Sequence, residues 1–336
     1  MPDRATALPT ITVLATGGTI AGTQVQAGSV GYRAGVLSVS HLLQAVPQLA
    51  SVAQIRAEHV ASIGSQNMSH AIWADLARRI DALDADPDVH GIVITHGTDT
   101  LEETAYFLSL VARTAKPLVL TGAMRPATAL GAEGPANLHD AVALAACADA
   151  GSRGPLVVMN EDIHYAREVQ KIASTGLSAF ASPNRGRAGV MHGGRPVFFS
   201  RNTTRHTTDS EFSLQAIEEA GWPRVDIVYA HAGMDDLPID ALAGHAAGLV
   251  LAGVGDGYAS DAALDALGRA VEAGVAVVRA SRTGSGLVAR DVEVDDAARG
   301  FIAAGELSPQ KARILLMLAL STGNGPAHWQ RCFDQY

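Results

Sequence analysis

Apolar positions recur in this chain at two spacings. Short, largely apolar runs at 11–15, 91–95, 117–121 and 156–159, and again at 225–230, 248–254 and 275–280, have the length of strands, and 91–95 is of the kind buried on both faces. Between them, apolar residues return every three or four positions, as with Ile72, Leu76, Ile80 and Leu83, or Leu101, Ala105, Leu108 and Ala112. That spacing predicts helices over 71–83, over the stretch after Thr100, and over 135–148 and 261–271, with a shorter one at 40–45. A further strand is predicted at 54–63, and Ser308-Pro309 opens a closing helix as a cap followed by proline. Strands alternating with helices predict an α/β fold built on a mostly parallel sheet with helices packed on it.

At 336 residues the chain is long for one core, so two domains are expected. Residues 1–200 form the larger N-terminal region, 201–222 are polar and aperiodic and read as a linker, and 223–336 form a smaller C-terminal α/β domain. Hydrophobic residues make up 48% of the chain, enough for a sizeable core, and a net charge of −9 disfavours nucleic acid as a partner. No apolar run is long enough for a membrane helix, and the N-terminus lacks the apolar core of a secretory signal. With only Cys147 and Cys332, no disulfide framework is expected, and the chain reads as cytoplasmic.

Candidate chemistry lies where the predicted strands end. The first runs into Thr16-Gly17-Gly18-Thr19-Ile20-Ala21-Gly22, the second into Gly64-Ser65-Gln66-Asn67-Met68, and the third into His96-Gly97-Thr98-Asp99-Thr100. A fourth runs into Gly122-Ala123-Met124-Arg125-Pro126. Open parallel sheets bind ligands at such ends, where glycines bare main-chain amides and helices begin. Each stretch also has a plainer reading: Ser-Gln-Asn is common turn composition, and Asp99 could simply cap a helix. Thr100 with Glu103 spells a capping box, and His96 is expected to anchor a turn through its ring nitrogens. Residues 22–36, small and polar with Tyr32 as the one large side chain, suit either a lid or an ordinary exposed loop. Lys171, in a stretch without periodicity, is by itself an ordinary surface lysine.

Several signatures fail. The glycines do not match G-x-G-x-x-G, and there is no phosphate loop, so nucleotide binding is disfavoured. Ser308-Pro309-Gln310-Lys311 spells S-x-x-K without its companion motifs. The twelve histidines lack H-E-x-x-H spacing, so neither a metal centre nor another cofactor is expected.

Taken in order, these strand ends, together with Ser182-Pro183-Asn184 and Glu293-Val294-Asp295-Asp296, resemble the bacterial L-asparaginase family, nearest its type II branch. The resemblance spans nearly the whole chain and implies hydrolysis of a side-chain amide to carboxylate and ammonia without a cofactor. It implies that Thr19 is the nucleophile, approached by Tyr32 and Glu293, and that Thr98 is a second active-site threonine paired with Asp99 and Lys171. Ser65, Gln66, Asp99 and Ala123 match the substrate-binding positions. A homotetramer, packed as a dimer of intimate dimers in which Glu293 reaches the neighbour's site, is implied in the same way.

The residue types suit that chemistry. A threonine hydroxyl attacks an amide only with help in losing its proton, and a lysine helps only if burial or neighbouring charge depresses its pKa. Asp99 would hold an α-ammonium group, so a free amino acid is the expected substrate. Tyr258 stands in the Gly253–Tyr258 turn where the family commonly has a small polar residue, which suggests a narrowed pocket favouring asparagine over glutamine. Two other readings remain open: an amide-nitrogen donor subunit of an amidotransferase, and a non-catalytic amino-acid sensor.

Overall fold

The computed structural model describes residues 7–26 and 31–336. Part of the segment read as a lid, residues 27–30, lies outside the described residues. The chain divides into two compact units, Met1–Asp209 and Ser210–Tyr336.

The first unit is organised on an eight-stranded sheet in the spatial order 195–198, 189–192, 162–165, 156–159, 118–121, 91–95, 10–17 and 54–63. From Leu156–Met159 to Gln54–Ile63 neighbouring strands are parallel, and the remaining three join antiparallel, 156–159 with 162–165 and 189–192 with 195–198 as hairpins. The strands Thr10–Gly17, Gly91–Thr95 and Leu118–Thr121 are buried at every residue, as their unbroken apolar runs require. On one face Ile11, Val13, Val93, Val119 and Val158 meet Leu138 and Val142 of the helix Gly134–Ala145. Elsewhere in the unit Trp73 of the helix His70–Ala85 stacks on Phe107 of Leu101–Val111, their ring centroids 4.7 Å apart. The antiparallel hairpins were not anticipated, because four-residue strands carry too few residues to show alternation.

The second unit carries a four-stranded parallel sheet in the order Val225–Tyr229, Gly248–Gly253, Ala276–Ser281 and Phe301–Ala303. Its core gathers Leu249, Leu251 and Val277 against Ala263, Leu264 and Leu267 of the helix Asp261–Glu272. The helix Pro309–Ser321 begins after Ser308 as expected, yet the Ser308 hydroxyl makes no capping bond. Nor is that helix the last element, since Pro326–Gln335 follows it. Within residues 201–222 the chain forms the helix Leu214–Glu219, capped by Ser213 and too short to display a period.

A wholly buried ion pair ties the loops of the second unit together. Arg279, in the strand Ala276–Ser281, donates from Nε and Nη2 to the Asp296 carboxylate at 2.6 and 2.7 Å, both side chains having 0% exposure. Nη1 donates to the carbonyls of Asp256 and Gly257 at 2.8 and 3.3 Å, and Nη2 to that of Ala289 at 3.1 Å. Each N–H of the guanidinium therefore has an acceptor, which offsets the desolvation of a buried charge. The pair fixes the turn around Asp256 and the segment from Ala289 to Asp296, which carries the exposed Glu293.

In the same turn Tyr258 is partly buried against the second unit's hydrophobic cluster, and its backbone pairs with Val254. A packing role of this kind accounts for an aromatic ring at that position.

Removing one partner of a buried pair strands the other charge, at a cost of about 3–5 kcal/mol. Asp296→Ala should accordingly lower the free energy of urea unfolding of the full chain by that order, and a loss below about 1 kcal/mol would show the pair to be dispensable.

Candidate active site

Two strand-end loops meet backbone to backbone. Gly18, at φ 80° and ψ −175°, turns the chain out of the opening strand, and its N–H donates to the Ile63 carbonyl at 2.8 Å. Here the ladder with Gln54–Ile63 slips, Ala15 pairing with His59 but Gly17 with Ile63, which frees the loop from strand geometry. A Cβ on Gly18 would stand 2.4 Å from the Gly97 nitrogen and 2.5 Å from its Cα. Only glycine allows this approach. It sets Thr19 and Thr98, each the residue after its glycine, on adjoining turns. Both threonines are nearly buried, at 5% exposure. The Thr19 hydroxyl lies 2.8 Å from the Tyr32 phenol oxygen, and Tyr32 itself is exposed.

The Thr98 loop holds a second group of polar side chains. Lys171 Nζ donates to the Thr98 hydroxyl at 2.9 Å and to Asp99 Oδ1 at 2.6 Å. The hydroxyl of Thr98 thus accepts from the lysine and keeps its own proton for another acceptor. Lys171 is mostly covered, whereas the Asp99 side chain is 59% exposed and presents a carboxylate that another cation can reach. Ser65, buried at the end of the second strand, accepts from the Asp99 N–H at 3.1 Å, so its hydroxyl proton is also left to donate. Thr100 does not cap its helix through its side chain. Its hydroxyl instead donates to the Ser65 carbonyl at 2.8 Å, binding the two loops together.

Lys171 reaches this group because its backbone is held. It lies in the two-residue strand Gln170–Lys171, and its N–H donates to Glu102 Oε2 at 2.5 Å. Glu102, buried in the first turn of the helix Leu101–Val111, is a positioning residue that sequence reasoning missed. An acidic residue in a helix's first turn is ordinary, and no pattern in the chain distinguishes this one.

His96 underlies the Thr98 loop as expected of a turn anchor, and its partners decide its tautomer. Nδ1 donates to the Gly97 carbonyl at 2.7 Å, so Nε2 is the acceptor for the Thr104 hydroxyl at 2.9 Å, which in turn accepts from Trp73 Nε1 at 2.8 Å. Burial disfavours the charged ring and lowers its pKa to about 4, with the Gly97 bond opposing the shift.

The remaining expected positions are placed less centrally. Gln66 is exposed and folds its amide over Gly64. Ala123 is fully buried in the first unit's core, beside Gly122, which packs against the Thr98 methyl and is held by the Asn137 amide at 2.9 Å. Glu293 belongs to the second unit and is not part of the cluster within the first. A cavity of about 960 Å³ borders the site through Tyr32 and continues along Gln24, Met124, Arg125 and Thr175.

Fold and site together define a two-unit α/β protein with paired strand-end hydroxyls, one beside a phenol and one beside a lysine–carboxylate pair. A family model described as asparaginase, N-terminal, matches residues 10–204, and one described as glutaminase/asparaginase C-terminal domain matches 224–333. The chain belongs to the asparaginase family. It is 46% identical to a protein named L-asparaginase 2 from Escherichia coli over 334 residues, 99% of this chain and 94% of that one. It is 44% identical to one named probable L-asparaginase periplasmic from Haemophilus influenzae, over 98% of this chain and 93% of that one. To a glutaminase-asparaginase from Pseudomonas fluorescens it is 41% identical, over 98% of this chain and 91% of that one.

The state of His96 makes stability depend on pH. Above its ordinary pKa of 6.5 the ring is neutral folded or unfolded, and the full stability is present. As pH falls from there toward about 4, the unfolded chain takes up a proton that the folded one refuses, so stability declines, by a total on the order of 3 kcal/mol. Urea midpoints measured across this window should fall less steeply for His96→Gln than for wild type, and equal slopes would remove His96 as the cause.

Proposed function

We propose that this chain hydrolyses L-asparagine to L-aspartate and ammonia, with weaker action on L-glutamine, through an acyl-enzyme on Thr19. The observation that carries this reading is the pairing of a nearly buried threonine with a phenol beside a second threonine held by Lys171. Attack by Thr19 Oγ on the side-chain amide carbon forms an ester. One proton leaves Oγ, one arrives on the amide nitrogen, and ammonia departs. Water then gives a hydroxyl to the acyl carbon and a proton back to Oγ. In this reading Tyr32, 2.8 Å from the Thr19 hydroxyl, would relay its proton, and Thr98, accepting from Lys171, would offer its own. An amide of the glycine-rich turn would stabilise the oxyanion, at about 3 kcal/mol per donor.

Substrate binding follows from the unspent groups. Asp99 Oδ1 is engaged by Lys171, which leaves its exposed carboxylate able to take an α-ammonium, while Ser65 and Gln66 offer donors to an α-carboxylate. Ala123, next to the Gly122 that packs on the Thr98 methyl, would contribute to binding through its main chain. A sensor would bind the same amino acid, but binding alone has no use for a threonine paired with a phenol. The relatives' names support hydrolysis over nitrogen donation to a partner chain.

The proposed assembly is a homotetramer formed as a dimer of intimate dimers, with Glu293 approaching Thr19 of a neighbouring subunit. The proposed location is the cytoplasm. Neither Cys147 nor Cys332 is in a disulfide, and no helix among the described residues is long and apolar enough to cross a membrane. The Haemophilus relative's name points instead to the periplasm, and fractionation of the native cell decides between the two.

Ammonia release from L-Asn, D-Asn, L-Gln and an N-blocked asparagine should be greatest for L-Asn and lost for the blocked compound. Thr19→Ala should fold normally and release no ammonia, and turnover surviving in that variant would reassign the nucleophile. If Glu293 acts across subunits, Thr19→Ala and Glu293→Gln chains refolded together should regain activity that neither has alone. Mixtures as inactive as their components would confine each site to one chain.

A further inference from the structure

Outside the site described, three side chains of the second unit bring together different metal-ligating atoms. His328 and Cys332 lie four residues apart on the helix Pro326–Gln335, so they share one face, and Glu211 reaches them from the start of the unit. One ligand atom from each lies within 4.8 Å of the others. Tetrahedral zinc, with bonds of about 2.3 Å to sulfur and about 2.0–2.1 Å to nitrogen and oxygen, requires edges of about 3.5 Å between sulfur and nitrogen and about 3.3 Å between nitrogen and oxygen. Cys332 Sγ stands 3.5 Å from His328 Nε2, and that nitrogen stands 3.9 Å from Glu211 Oε2. The first edge already matches. The second closes with a small rotation of the exposed glutamate.

Arg331 occupies the competing position. Its Nη2 donates to His328 Nδ1 at 2.6 Å and lies 3.3 Å from Glu211 Oε2. With Nδ1 accepting, the ring proton sits on Nε2, toward the sulfur. A cation needs the lone pair of Nε2, so the proton must move to Nδ1, and two donors cannot then face each other. Arg331 must swing away. Its side chain is 52% exposed, so it can leave without stranding a buried charge.

We propose that Glu211, His328 and Cys332 bind one divalent cation of the zinc class, in exchange for the contacts of Arg331. The cation forms bonds to a carboxylate oxygen, Nε2 and Sγ, a water completes the tetrahedron, and the thiol proton passes to solvent without any change of oxidation state. A mixed sulfur, nitrogen and oxygen set favours zinc or cobalt over calcium or magnesium, which take oxygen ligands. Once bound, the cation fastens the last helix of the second unit to that unit's first residues, so its loss loosens that helix.

The test is a titration of the intact protein with Co²⁺, followed by displacement with Zn²⁺. Wild type should bind one equivalent with a near-ultraviolet thiolate-to-cobalt band, and Cys332→Ser should lose that band. His328→Gln should weaken binding at least about tenfold. Arg331→Gln, which removes both the competing cation and the donor holding the wrong tautomer, should tighten it. His328 and Arg331 are less buried than Cys332, so their variants still decide the matter if Cys332→Ser fails to fold. A wild type and an Arg331→Gln variant that both lack a saturable thiolate band, or a Zn²⁺ affinity unchanged in His328→Gln, would overturn the proposal.

Discussion

The first unit depends on how closely two main chains can approach at Gly18 and Gly97. With less than 3 Å between a notional Cβ and the opposing backbone, no other residue fits at Gly18 without moving one strand end away from the other. The contacts of the candidate site are built on that approach. It puts Thr19 and Thr98 on adjoining turns, and Thr100 and Ser65 then bridge to a third strand end. The glycines therefore act as spacers between loops.

Around this approach, several buried polar groups are matched to one another across different elements. Trp73, Thr104, His96 and Gly97 form one hydrogen-bonded line beneath the Thr98 loop, each donor matched to an acceptor. Glu102 does the same for the Lys171 backbone, and Arg279 for the loops of the second unit. In a medium of low dielectric an unmatched group would cost more than the bond it replaces, so such lines admit few alternative loop positions. Rigid loops are what a site of small hydroxyl groups requires, since a hydroxyl bonds over a short range and has little reach of its own.

Much of this was legible in the chain. Gly91–Thr95 and Leu156–Met159 were readable because strands buried on both faces are mostly apolar, and both have the bounds their patterns predict, as does the more exposed Gln54–Ile63. The short hairpin strands and the helix Leu214–Glu219 were not, because a period needs more residues than they contain. Thr100 and Ser308 were read as caps from position alone, and in both cases the hydroxyl makes no capping bond. A side chain's local motif states what it could bond, and the tertiary surroundings decide among the possibilities.

What the sequence determined by itself was the α/β class and the strand ends at which chemistry could occur, since these follow from local spacing and from where glycines and hydroxyls fall. The resemblance implied the grouping of Lys171 with Thr98 and Asp99; only the tertiary structure gave its geometry, brought Glu102 to the Lys171 backbone, fixed the His96 tautomer and gathered Glu211 with His328 and Cys332. These are contacts between residues remote in the chain. No local pattern encodes a distance in space, so they exist only once the sheets have set which loops are neighbours.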